Sequence, residues 1–269
     1  MEIAAVLLIG FIIYFVIENT VILRVRREKL SDGSVKIAHL SDLHKKTFGK
    51  NNSRLLKKTA DENPDIIIFS GDIITRDCRD FTELSHFLMR LTKIAPVYFS
   101  YGNHELDLPE EYRKMLDDEM KKYGVHFAAN DYEILEIKDR KFSITFAQLK
   151  RNIYKKNGSY HNLENYTYED MINDVRKPET DCTSILIAHN PFFAETYEKW
   201  GADYTFSGHI HGGAIIIPFL KIGILSPERK FFPKYAKGVF EIGKMKLLIS
   251  GGLGKLRLFN PPEIVVYSI

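Results

Sequence analysis

Three strand-like apolar stretches, each running into a polar loop, constrain this chain more than any other feature. Val35 to Leu40 leads into Ser41-Asp42-Leu43-His44, Asp65 to Phe69 into Ser70-Gly71-Asp72, and Val97 to Ser100 into Tyr101-Gly102-Asn103-His104-Glu105. Apolar runs without alternation belong to strands covered on both faces. Helical patterns separate them. Leu55, Leu56 and Thr59-Ala60 share one side of Asn51 to Glu62, which Asn63-Pro64 ends, and a second helix is read over Phe81 to Leu91. Strand, loop and helix repeated in this order predict an α/β fold with crossover helices. Open α/β sheets bind ligands beyond the carboxyl ends of their strands, where these polar loops lie.

The pattern continues. Glu110 to Tyr123 reads as a charged amphipathic helix, and Tyr132 to Ile137 with Lys141 to Phe146 as a hairpin around Asp139-Arg140. Ser184 to Ala188 is a strand entering His189-Asn190-Pro191, and Ala202 to Phe206 one entering Gly208-His209-Ile210-His211-Gly212-Gly213. Val239 to Ile242, Lys246 to Ser250 and Ile264 to Tyr267 are further strands. The stretch 150–181 is polar and poorly periodic, with Tyr154, Tyr160, Tyr166 and Tyr168. It reads as a solvated surface insertion, with a lid over a site as the alternative. No repeat or linker divides residues 21–269, which form one catalytic domain.

Residues 1–20 are different. Ile3 to Ile17 is an uncharged apolar run of 15 residues. As a helix it is about 22 Å long, against about 30 Å for the hydrocarbon core of a bilayer. No basic region precedes it and no small-x-small site follows, which disfavours a cleaved signal peptide. Glu18-Asn19 directly after it disfavours a buried core helix, so a single anchor in the cell membrane is expected. Arg24, Arg26, Arg27 and Lys29 follow, and the positive-inside rule then places the large domain on the cytoplasmic side. The same arginines alternate with Val21, Leu23 and Val25, however, as the wet face of a first strand would.

Composition excludes some classes. The formal charge of +3 is small and scattered, so no nucleic-acid partner is expected. Cys78 and Cys182 are far apart without CxxC spacing, which rules out a cysteine zinc site and a disulfide framework.

The loops at strand ends collect Asp42, His44, Asp72, Asn103, His104, His189, His209 and His211. Five of the nine histidines are among them, while His39, His86, His126 and His161 have structural or solvated settings. His209-Ile210-His211 lies between glycines, and a glycine-bent loop lets both rings converge on one centre. Two carboxylates, a carboxamide and several imidazoles are too many donors for one metal. They suit two divalent transition-metal ions sharing a bridging carboxylate, with Mn foremost and Fe, Zn or Ni also compatible.

In this order, Asp42-Leu43-His44, Gly71-Asp72, Gly102-Asn103-His104-Glu105, His189 and Gly208-His209-Ile210-His211 resemble the calcineurin-like metallophosphoesterases, over about residues 36 to 269. Phe48-Gly49-Lys50-Asn51-Asn52, Gly252-Leu253-Gly254 and Asn260-Pro261-Pro262-Glu263 look like the bacterial membrane-associated or exported subgroup. The resemblance implies a two-sheet α/β sandwich flanked by helices. It implies one ion on Asp42, His44, Asp72 and His211, and a second on Asp72, Asn103, His189 and His209, with Asp72 bridging. His104 would protonate the leaving oxygen or stabilise the transition state, and Glu105 would steady its loop. Arg76, four residues after Asp72, is a candidate phosphate grip as in the protein-phosphatase branch. Ala214 departs from the Gln common in this subgroup.

The implied reaction is phosphoester hydrolysis, with a shared water activated by two ions for in-line attack. Two divalent ions, two carboxylates and a hydroxide leave about +1, which attracts an anionic phosphoryl group. An anchor favours a lipid-linked phosphodiester or pyrophosphate. A soluble phosphorylated small molecule is the alternative substrate, and a non-catalytic metal-binding scaffold the alternative function.

Overall fold

The protein's structure, a computed structural model, describes the chain except residues 1, 157, 158, 160–162, 179, 180, 214, 218, 219, 221, 228–230 and 256. Tyr160, His161 and Ala214 therefore lie outside the described residues.

The apolar N-terminal run forms α1 (Glu2–Thr20), long and apolar enough to cross a membrane. There follow β1 (Arg24–Lys29), β2 (Lys36–Leu40), α2 (Ser53–Asp61), β3 (Ile66–Phe69), α3 (Thr82–Leu91), β4 (Val97–Phe99), α4 (Asn103–Leu106) and α5 (Glu110–Lys122). The second half carries β5 (Tyr132–Ile137), β6 (Arg140–Ala147), α6 (Arg151–Tyr154), α7 (Tyr168–Asp174), β7 (Thr183–Ala188), α8 (Ala194–Trp200) and β8 (Tyr204–Ser207). A small hairpin, β9 (Ile216–Ile217) with β10 (Ile222–Gly223), precedes β11 (Gly238–Ile242), β12 (Met245–Ile249) and β13 (Glu263–Ser268).

Two sheets result, in the orders β1-β13-β2-β3-β4 and β11-β12-β8-β7-β6-β5. In the first, β2, β3 and β4 are parallel; in the second, β12, β8, β7 and β6 are parallel. Between them lies one core, in which Ile37, Ile66, Ile68 and Tyr267 meet Phe142, Ile144, Phe146, Ile185, Ile187 and Phe206. Alternate residues face outward. Ala38, Leu40, Ile67 and Phe69 pack under Leu55, Phe87, Leu88 and Leu116 of the helices. On the far side, Leu186, Ala188, Leu247 and Ile249 pack with Tyr197, Trp200 and Met171. Because each central strand has a core on both faces, its sequence does not alternate. The architecture is the two-sheet α/β sandwich that the resemblance implied.

Three local readings change. The first strand starts at Arg24, since α1 runs on to Thr20. Two of its three arginines are paired within the fold, Arg26 with Glu263 and Glu28, and Arg27 with Glu62. The hairpin turns one residue earlier than expected, at Lys138-Asp139, with φ of 50° and 62°. Two positive φ values match the right-handed twist of the flanking strands. Thirdly, the stretch 150–181 is not merely a solvated surface, because Ile153, Tyr154, Tyr166, Met171 and Val175 are buried in the outer core of the second sheet. Helices of four and seven residues are too short to print a period in the sequence.

That burial sets a test. Met171→Ala is expected to cost about 2–5 kcal/mol in urea unfolding, whereas the exposed neighbour Ile172→Ala changes stability by less than about 0.5 kcal/mol.

Candidate metal centre

The loops ending β2, β3, β4, β7 and β8 come from both sheets and meet at one place. Asp42, His44, Asp72, His209 and His211 all have left-handed backbones, with φ of 53°, 53°, 55°, 68° and 53°. Each departs from the ordinary basin at a cost of about 1–3 kcal/mol, which the surrounding hydrogen bonds must offset.

Three overlapping groups of donors are found among the described residues. Those of Asp42, His44 and His211 lie within 4.8 Å of one another, as do those of Asp72, His189 and His209 and those of His44, Asp72 and His104. His211 Nε2 is 3.3 Å from Asp42 Oδ1 and 3.3 Å from His44 Nε2. His189 Nε2 is 3.4 Å from Asp72 Oδ2 and 3.8 Å from Asp42 Oδ1, which links the first two groups. The backbone sets which nitrogen is free. His189 Nδ1 donates to Ser70 O at 2.5 Å, so Nε2 is the nitrogen aimed at the carboxylates and the one whose lone pair a metal would take on loss of its proton. His44 Nδ1 faces Ile74 O at 3.4 Å in the same sense.

His104 also lies close, with Nε2 3.9 Å from Asp72 Oδ2. Arg76 separates it from the others. Its backbone N–H donates to His104 Nδ1 at 3.1 Å and its guanidinium Nη2 lies 3.1 Å from Nε2, so both ring nitrogens are engaged by Arg76.

The fit to metal ions rests on atoms that the protein leaves unsatisfied. Asp42 Oδ2, Asn103 Oδ1 and His189 Nε2 are buried and have no hydrogen-bond partner. A buried polar atom without a partner costs about 1–3 kcal/mol, and three converging donors of oxygen and imidazole nitrogen match a transition-metal pair. The other carboxylate oxygens are held in place, Asp42 Oδ1 by the His209 N–H at 3.1 Å and Asp72 Oδ1 by the His104 N–H at 2.8 Å.

The buried Glu105 carboxylate, expected to steady its own loop, also ties it to the Asp72 loop by accepting from the N–H groups of Gly102, Asp72 and Ile74. Further braces escaped the sequence reading. Arg257, 1% exposed, donates to the carbonyls of His211 and Gly251. Asn260 Nδ2 reaches the same His211 carbonyl at 2.6 Å. Gly102 has to lack a side chain, since a β-carbon there would stand 2.3 Å from Asp72 Oδ1. Nothing in the local sequence around Arg257 marks it, because its targets are backbone atoms of a distant loop.

Arg76 does reach the site. Its Nη2 is 3.1 Å from His104 Nε2, and its Nη1 pairs with Asp107 at 2.9 Å. Asp107 also holds Arg151, and both arginines line the cleft with Tyr154 and Lys155. The Tyr154 ring stands 5.1 Å from that of His209. Arg151, Tyr154 and Lys155 belong to the stretch read as an insertion, with the lid as alternative; α6 forms one wall of the cleft.

Electrostatics follow the geometry. Burial pushes the Asp42 and Asp72 carboxyls up, but the facing imidazoles outweigh it and hold both below the usual range. Burial pushes His189 down, and Asp72 and Asp42 reverse that, raising it to about 9. His104 goes the other way, pushed by burial to about 4 despite Asp72.

The family model for calcineurin-like phosphoesterases matches residues 35–213, which span all five loops. The chain belongs to this family. The phosphoesterase is 28% identical to the uncharacterised metallophosphoesterase YkoQ of Bacillus subtilis, over 87% of this chain and 83% of that one. It is 23% identical to the phosphodiesterase YaeI of Escherichia coli, over 87% and 82%. It is also 23% identical to the UDP-2,3-diacylglucosamine pyrophosphatase LpxG of Chlamydia muridarum, over 86% and 82%. The family is one of phosphoester hydrolases, and the phosphoesterase is an enzyme of that class.

A raised His189 means that the metal-free phosphoesterase carries a proton on that ring at pH 7. A metal takes only the neutral ring, so loading at pH 7 is expected to release a proton and affinity to rise with pH up to about 9. Calorimetric titrations with Mn in buffers of different ionisation enthalpy check this, through apparent enthalpies that differ between buffers in proportion.

Proposed function

We propose that the protein is a membrane-anchored phosphoesterase working with two divalent transition-metal ions, on a lipid-linked phosphodiester or pyrophosphate. The observation that carries the reading is the trio of buried, unpartnered donors on Asp42, Asn103 and His189, drawn from both sheets. Asp42, His44, Asp72 and His211 would hold one ion, and Asp72, Asn103, His189 and His209 the other. Mn is the first choice, and Fe, Zn or Ni fit the same donors. When bound, the pair supplies a water activated at neutral pH and a positive clamp on the phosphoryl oxygens.

The chain's own residues do the rest. Asp72 lies within 4 Å of His44 and His189, one from each proposed ligand set, which favours it as the bridge. His104 Nδ1 is committed to the Arg76 N–H, so once substrate draws the Arg76 guanidinium off Nε2 the ring would turn Nε2–H to the phosphoryl or leaving oxygen as a neutral hydrogen-bond donor. An imidazolium would set two N–H groups against each other at Nδ1, which disfavours the acid role. Arg76 Nη2 donates toward His104 Nε2 at 3.1 Å, which holds guanidinium and ring side by side at the cleft, where both could turn to a substrate oxygen. Arg151 and Lys155 add positive charge for a second phosphate or a diester's far side.

The lipid-linked substrate class draws on α1 and on two relatives, one named a phosphodiesterase and the other a pyrophosphatase of a diacylated sugar nucleotide. Every donor of the proposed ligand sets is present at the site, which argues against a non-catalytic scaffold.

Two assays test the reading. Mn-loaded protein should hydrolyse phosphodiesters or pyrophosphates, and Asp72→Asn should lose essentially all turnover. Activity equal in wild type and Asp72→Asn would sink the metal mechanism. His104→Ala is expected to lower kcat about 10²–10³-fold, as for loss of one preorganised donor. The loss should be similar for aryl and alkyl leaving groups. A much larger loss for alkyl leaving groups would restore the general-acid role.

A further inference from the structure

An apolar face beside the metal cleft has no use inside the fold. Leu220, Phe231 and Phe232 are 62%, 70% and 60% exposed, and Ile215, Ile222 and Phe259 are also exposed. Soluble monomers rarely group large apolar side chains in this way on one surface. We propose that this face is a second membrane contact, which sinks into the bilayer interface next to α1 and opens the metal cleft at the lipid surface. The inference rests on the proposed anchoring of α1.

The foot of α1 is bolted to the domain. Glu18 is buried and accepts from the Phe259 N–H at 2.9 Å, and Tyr14 stacks on Phe259 with ring centroids 5.4 Å apart. Asn19 accepts from the Arg257 N–H at 3.0 Å and donates to the Arg257 carbonyl at 2.8 Å. Leu23, three residues beyond Thr20, is already in the core. The domain is thus fixed to the helix, with no tether that would let it stand away from the bilayer.

The uncharged part of the helix is also short. This run, Ile3 to Ile17, covers about 22 Å of a hydrocarbon layer about 30 Å thick. Mismatch of this size draws flanking groups into the interface or thins the bilayer. The groups fixed at the foot of the helix are those of the apolar face. Phe259 touches Tyr14, and its neighbour Leu258 pairs with Ile215 and accepts from the Ile216 N–H at 3.0 Å. Ile216 begins the β9–β10 hairpin, and Phe232 donates from its N–H to Ile224 just past it at 2.9 Å. Aromatic side chains suit the headgroup level. Pro227, between β10 and Phe231, lines the metal cleft with His211. A phosphate at the bilayer surface would then reach the cleft while its lipid tail stays in the membrane.

The test uses the full chain in mixed phosphatidylcholine–phosphatidylglycerol vesicles. Trp200 is 1% exposed, so Phe231→Trp adds a reporter against a buried background. The expected result is blue-shifted emission from the new indole, quenched by lipids brominated near the headgroup, with Trp200 unaffected in the unsubstituted chain. Water-like, unquenched emission from protein that floats with the vesicles would overturn the second contact and leave the anchor intact. Failure to float would overturn the anchor and the second contact together. Quenching that needs no bromolipid and follows self-association would assign the face to a second copy instead. In a parallel assay, Phe231→Asp with Phe232→Asp should lower hydrolysis of a bilayer-embedded phosphodiester about tenfold or more, with turnover of a water-soluble aryl phosphodiester unchanged. Equal losses on both substrates, or on neither, would count against the proposal.

Discussion

Two carboxylates buried among imidazoles, where two sheets meet, are what the rest of this fold accommodates. Asp42 and Asp72 have almost no contact with solvent. Buried charge is tolerated only when paired and hydrogen-bonded. The chain meets that demand from several directions, with N–H groups of His104 and His209 on one oxygen of each carboxylate. Glu105 locks the Asp72 loop to the Asn103 loop, and Arg257 with Asn260 holds the His211 carbonyl. These contacts also hold five site residues in left-handed backbones. Strain collected at one point, with three donor atoms left unsatisfied, is the signature of a site built for a ligand.

Much of this was legible in the sequence, for a physical reason. A strand covered on both faces must be apolar throughout, so its end shows as an abrupt change to polar residues. The residues just past that change, Asp42, Asp72, Asn103, His189 and His209, are those that the structure brings together. Arg257, the role of Asn260 and the cleft wall of Arg151 and Tyr154 were not legible. Arg257 acts on backbone carbonyls far away in the chain, and α6 is a single turn with no period to detect. The hold of Arg76 on His104 was equally hidden, because it depends on a backbone N–H pointing at Nδ1 and a guanidinium reaching Nε2.

The N-terminal helix ties location to chemistry. Arg257 makes hydrogen bonds with Asn19 through its backbone and with the His211 carbonyl through its guanidinium. The foot of α1 is therefore one residue removed from a proposed metal ligand. The curated relatives differ from this chain at about three positions in four, yet they align over more than four-fifths of it.

The central claim is that one chain holds two metal ions across Asp72. Native mass spectrometry of the chelator-stripped, Mn-reconstituted protein measures this directly. The account predicts two ions per chain at saturation, and fewer than two for Asp72→Asn under the same conditions. A single ion in the wild type, or two ions retained by Asp72→Asn with unchanged affinity, would contradict it.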